Sequence, residues 1–389
     1  MDKRGVLMKS QKLTFIESLM LVAGAGIGTG ILTIPYVINK IGVLGTVCAL
    51  AFAYVISALM YLIIADLTRN SKKSNDLIAI LDEHLFIGRG KKVLNIIFFV
   101  LLILLLVENL VVYILCASDV LVDLLGIGTV SSKVIFYLLA SIVIFFGIKG
   151  MGVGEKISMI LIGCAVLVLT VLSFGNMKGS LTLSFGEPSL VFALYGLFMF
   201  AFSAIFSIIQ VCSHIEKPEL TGKAVIGGLS LNALITIVFA FATILGSNKV
   251  TEIATIGLSN GIGIPFVKIL CSLLVQLAMF TSFWSSAFAF TDVVSGQIGI
   301  SHKGAWFIAT LPAVLIAVFL PLGLLDYIQI GAGALSIILV IVVLPAYAHA
   351  IAEPKQTLLL GKLSGNKVII GIIATAIILM AVSSFITIN

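Results

Sequence analysis

The sequence predicts an all-α integral membrane protein of about eleven transmembrane helices, built as an inverted repeat of five plus five helices with helices 1 and 6 broken and one helix appended. Three observations carry this. Hydrophobic residues make up 60% of the 389 and charged residues only 10%, against roughly 25% charged in soluble domains, and mean hydropathy is +1.25. The apolar residues fall into eleven runs, at 13–36, 42–66, 93–118, 132–148, 154–175, 189–212, 223–246, 264–291, 305–322, 327–350 and 367–387, each near the roughly 20 residues that cross a bilayer as a helix. Within the first run the chain reads VAGAGIGTGILTIPYV, with Gly24, Gly26, Gly28, Gly30 and then Pro35.

Glycine at that density does not hold a regular helix, so the first run should unwind at bilayer depth. Free N–H and C=O groups are tolerated there only where they line a cavity or are buried in protein, which makes a broken membrane helix the sequence mark of a transporter's binding site. The run lacks a small-residue cleavage pattern and ten more follow it, so it reads as a retained span and not a removed signal peptide. Between the second and third runs, residues 67–92 carry Arg69, Lys72, Lys73, Arg89, Lys91 and Lys92 around an amphipathic DLIAILDEHLF stretch. This predicts a short interfacial helix in a charged loop that fixes topology. The third run holds Glu108 in LLLVENLVVY, beside Asn109 and one turn before Tyr113.

In the sixth run, YGLFMFAFSAIFSIIQV, Ser203 and Ser207 interrupt an aromatic-rich stretch. Serines in a membrane helix also bond back to the preceding turn, so the break here rests on its position. The first and sixth spans are five apart, the offset that an inverted repeat produces, with a site between the broken helices near the midplane. Repeat one then covers about 13–175, repeat two about 189–350, and the extra helix about 367–387. Residues 247–263, SNKVTEIATIGLSNGIG, predict a short gate helix before the eighth span. Every connection is too short for a soluble domain, so residues 1–389 read as a single transmembrane domain.

Eighteen of the 23 Lys and Arg residues fall before the first span or in the connections on that same side, leaving Lys40, Lys133, Lys178, Lys249 and Lys268 opposite. Positive charge stays on the cytoplasmic side. The chain is therefore expected in a plasma (inner) membrane, multi-pass, with a cytoplasmic N-terminus and, for eleven spans, an extracytoplasmic C-terminus. Loop lysines facing anionic membrane lipid account for the net charge of +6 without a nucleic-acid partner. Cys48, Cys116, Cys164, Cys212 and Cys271 lie in or at the ends of apolar runs with no CxxC spacing, and the four histidines do not pair at ligand spacing. These support no disulfide framework, metal cluster or cofactor. With no GxGD, HExxH or nucleophile-and-base pairing in the spans, an enzyme is not expected.

Gly28-Thr29-Gly30-Ile31 with Pro35 resembles the first-helix G-[ST]-G-[IV]-x-x-x-P motif of the amino acid-polyamine-organocation superfamily, whose fold is of the leucine-transporter type. Gly196, then Phe200-Ala201-Phe202-Ser203, and the following Glu216-Lys217-Pro218 resemble its amino acid/auxin permease branch. Thr281-Ser282-Phe283, with Asp292 eleven residues after Thr281, is similar to the hydroxy and aromatic amino acid permeases. The resemblance implies a permease that captures an amino acid zwitterion. Its carboxylate would meet backbone N–H groups of Gly28, Thr29 and Gly30, with Gly26 beside them, where the half-helix after the break presents its positive end. Its ammonium would meet unwound carbonyls near Phe200, Ala201 and Ser203, with Phe200, Phe202 and Tyr113 as aromatic candidates for the pocket wall. Where the family carries a glycine and often a histidine after the serine, this chain has Ala204 and Ile205, so the family's substrate preferences do not transfer.

For coupling, the resemblance places Na+ between the first and eighth helices, on the carbonyls of Gly24 and Ile27 and on Ala278, Thr281 and Ser282. The i, i+3, i+4 spacing gives one helical face with two hydroxyls and a carbonyl for a hard cation. The same Thr-Ser pair occurs in proton-coupled relatives. Some of these put a fifth-helix lysine at that position, and the middle of the fifth span here, ISMILIGCAVLVLTV, has none. Glu108 is then a proton-coupling candidate, since a carboxylate at bilayer depth is costly and marks function. Glu17, early in the first span, is a second, placed to gate from the cytoplasmic side. The expectation is a secondary active transporter importing an amino acid by Na+ or H+ symport with alternating access. An uncoupled amino acid exchanger and a non-transporting membrane receptor for an amino acid are the alternatives.

Overall fold

Thr14 opens the first helix with a capping box. Its hydroxyl accepts from the Glu17 N–H, and the Glu17 carboxylate accepts from the Thr14 N–H at 2.8 Å, which satisfies two donors that a helix start leaves free. The computed structural model describes residues 12–72, 76–85, 90–320, 338–352, 354–386 and 388. The first part of the expected tenth span, 327–337, lies outside the described residues, as do Lys3, Arg4, Lys9, Lys73 and Arg89.

Helix α1 (Phe15–Gly26) is followed, after three residues, by α2 (Gly30–Arg69). Then come α3 (Leu77–His84), α4 (Lys91–Leu125), α5 (Thr129–Phe145) and α6 (Gly147–Gly175). The second half runs α7 (Pro188–Ala201), α8 (Ile205–His214), α9 (Thr221–Gly246), α10 (Ala254–Ile262), α11 (Pro265–Ile298) and α12 (His302–Phe319). A π-helical turn, Ile338–Val343, leads into α13 (Leu344–Ala350), and α14 (Lys367–Ser383) ends the bundle. Helix lies on each of the eleven expected runs, and among the described residues seven stretches are long and apolar enough to cross a membrane on their own. The interfacial helix expected in 67–92 is α3, capped by Asp76, which accepts from the Ala79 N–H at 2.8 Å. The short helix expected in 247–263 is α10.

The boundaries differ from the apolar runs in two informative ways. The first and second runs are not separated by a loop. One residue, Gly42 with φ 82°, turns the chain inside α2, a left-handed conformation that glycine adopts without steric cost. A side chain there would also overlap Ser184 Oγ, because residues 180–186 lie over the turn and accept from the Val43 N–H (2.8 Å, Thr182 O) and the Leu44 N–H (3.1 Å, Ser184 O). Secondly, α6 begins at Gly147, seven residues before the expected fifth span. Hydrogen bonding carries a helix past the end of its apolar stretch, so the hydropathy edge marks the interface and not the helix start.

The two interrupted helices, α1/α2 and α7/α8, sit at the centre. α1 packs on α6, α9 and α11, and α2 packs on α7 and α9. The outside of the bundle exposes Leu104, Leu138, Val171 and Phe174, an apolar surface suited to lipid, while the inside holds polar pairs such as Ser207–Ser285 (2.6 Å) and Gln210 donating to Ser285 O (3.1 Å). At the start of the chain Leu13 bridges to the end of α8: its N–H donates to His214 O (2.8 Å) and its carbonyl accepts from the Glu216 N–H (2.9 Å). The segment before α14 is anchored by Asp66, which accepts from the Leu359 and Leu360 N–H groups, and by Lys355 on Glu83 at 2.9 Å. Burial pushes the Glu83 carboxyl up, but the Lys355 ammonium and the Lys72 N–H outweigh it and hold the group below the usual carboxylate range.

Candidate functional site

A cavity of about 560 Å³, its open mouth included, lies between the two breaks. Helix α1 ends where Ile27 leaves helical geometry (φ −80°, ψ 75°). The Ile27 N–H turns back to Gly24 O (3.0 Å) and the Gly28 N–H to Gly26 O (3.0 Å). Helix α2 restarts behind Thr29 with no side chain capping it. The N–H groups of Thr29, Gly30 and Ile31 are then without intrahelical partners by position, at the positive end of the α2 dipole. Gly26, Gly28, Thr29 and Gly30 all line the cavity. Of the three donors expected from the sequence, Gly28 is the one whose N–H is already engaged. The glycines also serve packing: a Cβ would come within 2.8 Å of Ser282 Oγ at Gly28, and within 2.8 Å of Ala201 Cβ at Gly30.

The second break contains neither glycine nor proline. Phe202 (φ −93°, ψ 8°) and Ala204 (φ −135°, ψ 32°) flank Ser203 between α7 and α8. Other helices take up the carbonyls that this frees. Ala201 O accepts from Asn232 Nδ2 (3.0 Å), Asn232 Oδ1 in turn accepts from Thr236 Oγ1 (3.1 Å), and Phe202 O accepts from the Tyr61 hydroxyl. Phe200 O accepts from the Ser203 N–H (3.0 Å). Phe200 and Ser203 line the cavity, whereas Ala201 and Phe202 are not among its lining residues: Ala201 packs on Gly26 and Gly30, and Phe202 stacks on Phe198. Tyr113 lines it together with Asn109, its hydroxyl beside Ser282 and Ser286. None of the lining side chains is charged. Ser285, Ser286 and the supporting Asn232 were not legible as site residues, because serines and a single asparagine in apolar helices carry no spacing signal.

The expected cation ligands come together where α1 meets α11. Thr281 and Ala278 are fully buried and Ile27 nearly so. In this conformation the Thr281 hydroxyl donates to Ala278 O (3.0 Å), the Ser282 hydroxyl donates to Ala25 O (3.3 Å), and Gly24 O accepts from the Ile27 N–H. A further carboxylate reaches this place. Glu155 of α6 is fully buried, a Cβ on Gly24 would overlap its Oε2, and the Thr281 Cβ lies 3.1 Å from that same point. Neither Glu155 oxygen has a hydrogen-bond partner among the described residues. Glu155 went unread in the sequence because it sits second in the expected fifth span, at its polar edge. The candidates for proton coupling lie elsewhere: Glu108 does not line the cavity although its neighbour Asn109 does, and Glu17 is held by the capping box and by Lys149 Nζ at 2.6 and 2.9 Å.

The fold matches solved transporters. It aligns with MhsT, solved in complex with L-phenylalanine, over 97% of this chain and 100% of that chain (TM-score 0.71, 14% identity). It aligns with Mhp1, a nucleobase-cation-symport-1 family transporter solved in a closed conformation with bromovinylhydantoin bound, over 96% of this chain and 91% of that chain (TM-score 0.68, 12% identity). At such identities the likeness shows the fold, which is the leucine-transporter type with broken helices 1 and 6. No curated protein is close enough in sequence to match this chain. The profile of the tryptophan/tyrosine permease family matches residues 11–384. The protein is a multi-pass membrane secondary transporter and not an enzyme, and it belongs to the tryptophan/tyrosine permease family of the amino acid-polyamine-organocation superfamily.

Proposed function

We propose that this chain imports an aromatic amino acid, tryptophan or tyrosine, across the plasma (inner) membrane by cation-coupled symport with alternating access. The observation that carries the reading is an uncharged cavity between two helix breaks, with the uncapped start of α2 on one wall and Tyr113, Phe200 and Phe206 on the others. A zwitterion suits such a site, since its carboxylate can take the N–H groups of Thr29 and Gly30 at the positive helix end. Its ammonium falls to Ser203 and the serines of α11, because the Phe200 and Ala201 carbonyls already have partners. The aromatic rings offer the apolar wall that such pockets use for a side chain. The family's name and the L-phenylalanine held by the fold relative support an aromatic substrate.

The coupling cation, Na+ or H+, is assigned to the place bounded by Gly24, Ile27, Ala278, Thr281 and Ser282. The N-terminus is cytoplasmic and the C-terminus extracytoplasmic by the lysine and arginine distribution, with loop lysines against anionic lipid. An uncoupled exchanger is the second reading, favoured by the Gly24 and Ala278 carbonyls, which already accept from the Ile27 N–H and the Thr281 hydroxyl; a receptor that binds without transport is its limiting form. Uptake of labelled tryptophan, tyrosine, phenylalanine and serine into proteoliposomes, under an inward sodium gradient, an inward proton gradient or neither, separates them. Gradient-driven accumulation of the aromatic substrates is expected. Binding or exchange without accumulation under either gradient would sink the symport reading.

A further inference from the structure

Glu155 is a fully buried carboxylate with neither oxygen hydrogen-bonded among the described residues, and the substrate cavity does not include it. Helices α1, α5, α9 and α11 pack against α6, and the acidic and basic side chains they carry are Glu17, Lys133, Lys223, Lys268 and Asp292. Most of these are engaged elsewhere. Glu17 is held by Lys149 of α6 itself, Lys133 donates to Ala317 O, Lys268 pairs with Asp123 at 3.0 Å, and Asp292 lies 3.6 Å from His302. None is hydrogen-bonded or ion-paired to Glu155, and neither is Lys156, the next residue of α6. A carboxylate anion so placed has lost water and gained no counter-charge, an arrangement that persists only when something neutralises it.

What surrounds it narrows the choice. The Glu155 oxygen abuts the Cα of Gly24, two residues before α1 ends, and the buried Thr281 and the thioether of Met159 complete the contact. The nearby oxygens, the Thr281 hydroxyl and the backbone carbonyls at the end of α1, are hard neutral ligands. We propose that Glu155 is the charged ligand of the coupling site, binding one Na+ in the contact between α6 and the end of α1. This rests on the symport reading above and adds to it the group that carries the charge. Cation occupancy then decides whether α1 can rest against α6. The α1 end is also the first break, so the same contact sets the geometry of Thr29 and Gly30 at the substrate.

The test uses full-length protein in proteoliposomes and compares wild type with Glu155→Gln, which keeps the shape and removes the exchangeable charge. Labelled tryptophan uptake is followed under an inward proton gradient, under an inward sodium gradient, and as counterflow with equal ions on both sides. Loss of sodium-driven accumulation by about tenfold or more, the scale of an ordinary coupling between two sites, with counterflow retained, is expected; wild-type accumulation driven by protons and indifferent to sodium overturns the proposal. Wild-type accumulation in the Gln variant overturns the proposal. A second measurement covers a variant that fails to fold: a hydrophobic carbodiimide, which reacts with the protonated carboxylic acid, is applied to the wild-type protein and Glu155 modification is read by peptide mass. Slowing by sodium at fixed pH is expected, and modification indifferent to sodium overturns the proposal. If wild type accumulates no aromatic amino acid under either gradient, the symport reading fails, and the labelling still decides whether Glu155 binds Na+.

Discussion

At the first break the chain leaves its helix inside a run with glycine at Gly24, Gly26, Gly28 and Gly30, and the N–H groups it frees stay open toward the cavity. At the second break it does so through Phe202, Ser203 and Ala204, and the carbonyls it frees are taken by Asn232 of α9 and Tyr61 of α2. One interruption is encoded where it occurs and keeps its donors for a ligand. The other is held by residues 30 or more positions away from it along the chain, and its acceptors are largely spent on the protein. Under the proposed function, substrate capture falls to the first break and structural support to the second, though the two look alike in outline.

The division can be broken from either side. The largest effect is expected at Gly26, where a side chain would overlap both Ala201 O and Asn232 Nδ2 and so force the breaks apart. Overpacking costs about 1–3 kcal/mol, and Gly26→Val should lower initial uptake of tryptophan by roughly five- to 150-fold; near-normal uptake would show that the breaks do not need this contact. Asn232→Leu leaves the Ala201 carbonyl buried without a donor, at a cost of about 1–3 kcal/mol. It should lower the unfolding temperature of the purified protein, and an unchanged temperature would mean that the second break supports itself. Tyr61→Phe removes one donor from Phe202 O and should cost about 1 kcal/mol in the same melting assay. The smallest effect is expected at Thr29. It makes no capping bond, so Thr29→Ala should leave stability within about 0.5 kcal/mol of wild type, and a large loss would mean that the first break also leans on its side chains.

The same asymmetry explains what could be read from the sequence. The first break was legible because glycine density is a local property, and the span count was legible because bilayer thickness sets a length scale that every run must meet. The second break was only half legible: Ser203 marks its place, but Asn232 and Tyr61 enter only once the helices are packed. Gly42 gave no warning, since a single glycine among eleven spans is unremarkable until the chain is seen to reverse there. The two membrane carboxylates teach the converse lesson. Glu108 stands out in an apolar run yet lies off the cavity wall, whereas Glu155 is hidden by the polar residues around it and reaches the heart of the bundle. Hydropathy reports how far a residue lies from the membrane surface along its own helix, and not which neighbours it meets.

The bridge between Leu13 and the end of α8 joins α1 and α8, one half of each broken helix, at the ends away from the cavity. Their far ends are tied by two backbone hydrogen bonds, while their near ends stop at the non-helical residues 27–29 and 202–204. Displacing either helix alone would break both bonds, so the tie favours displacement of α1 and α8 together. A chain shortened through Leu13 would lose both of these bonds while keeping every residue that lines the cavity, so the two helices would be uncoupled at their far ends without any change to the pocket wall.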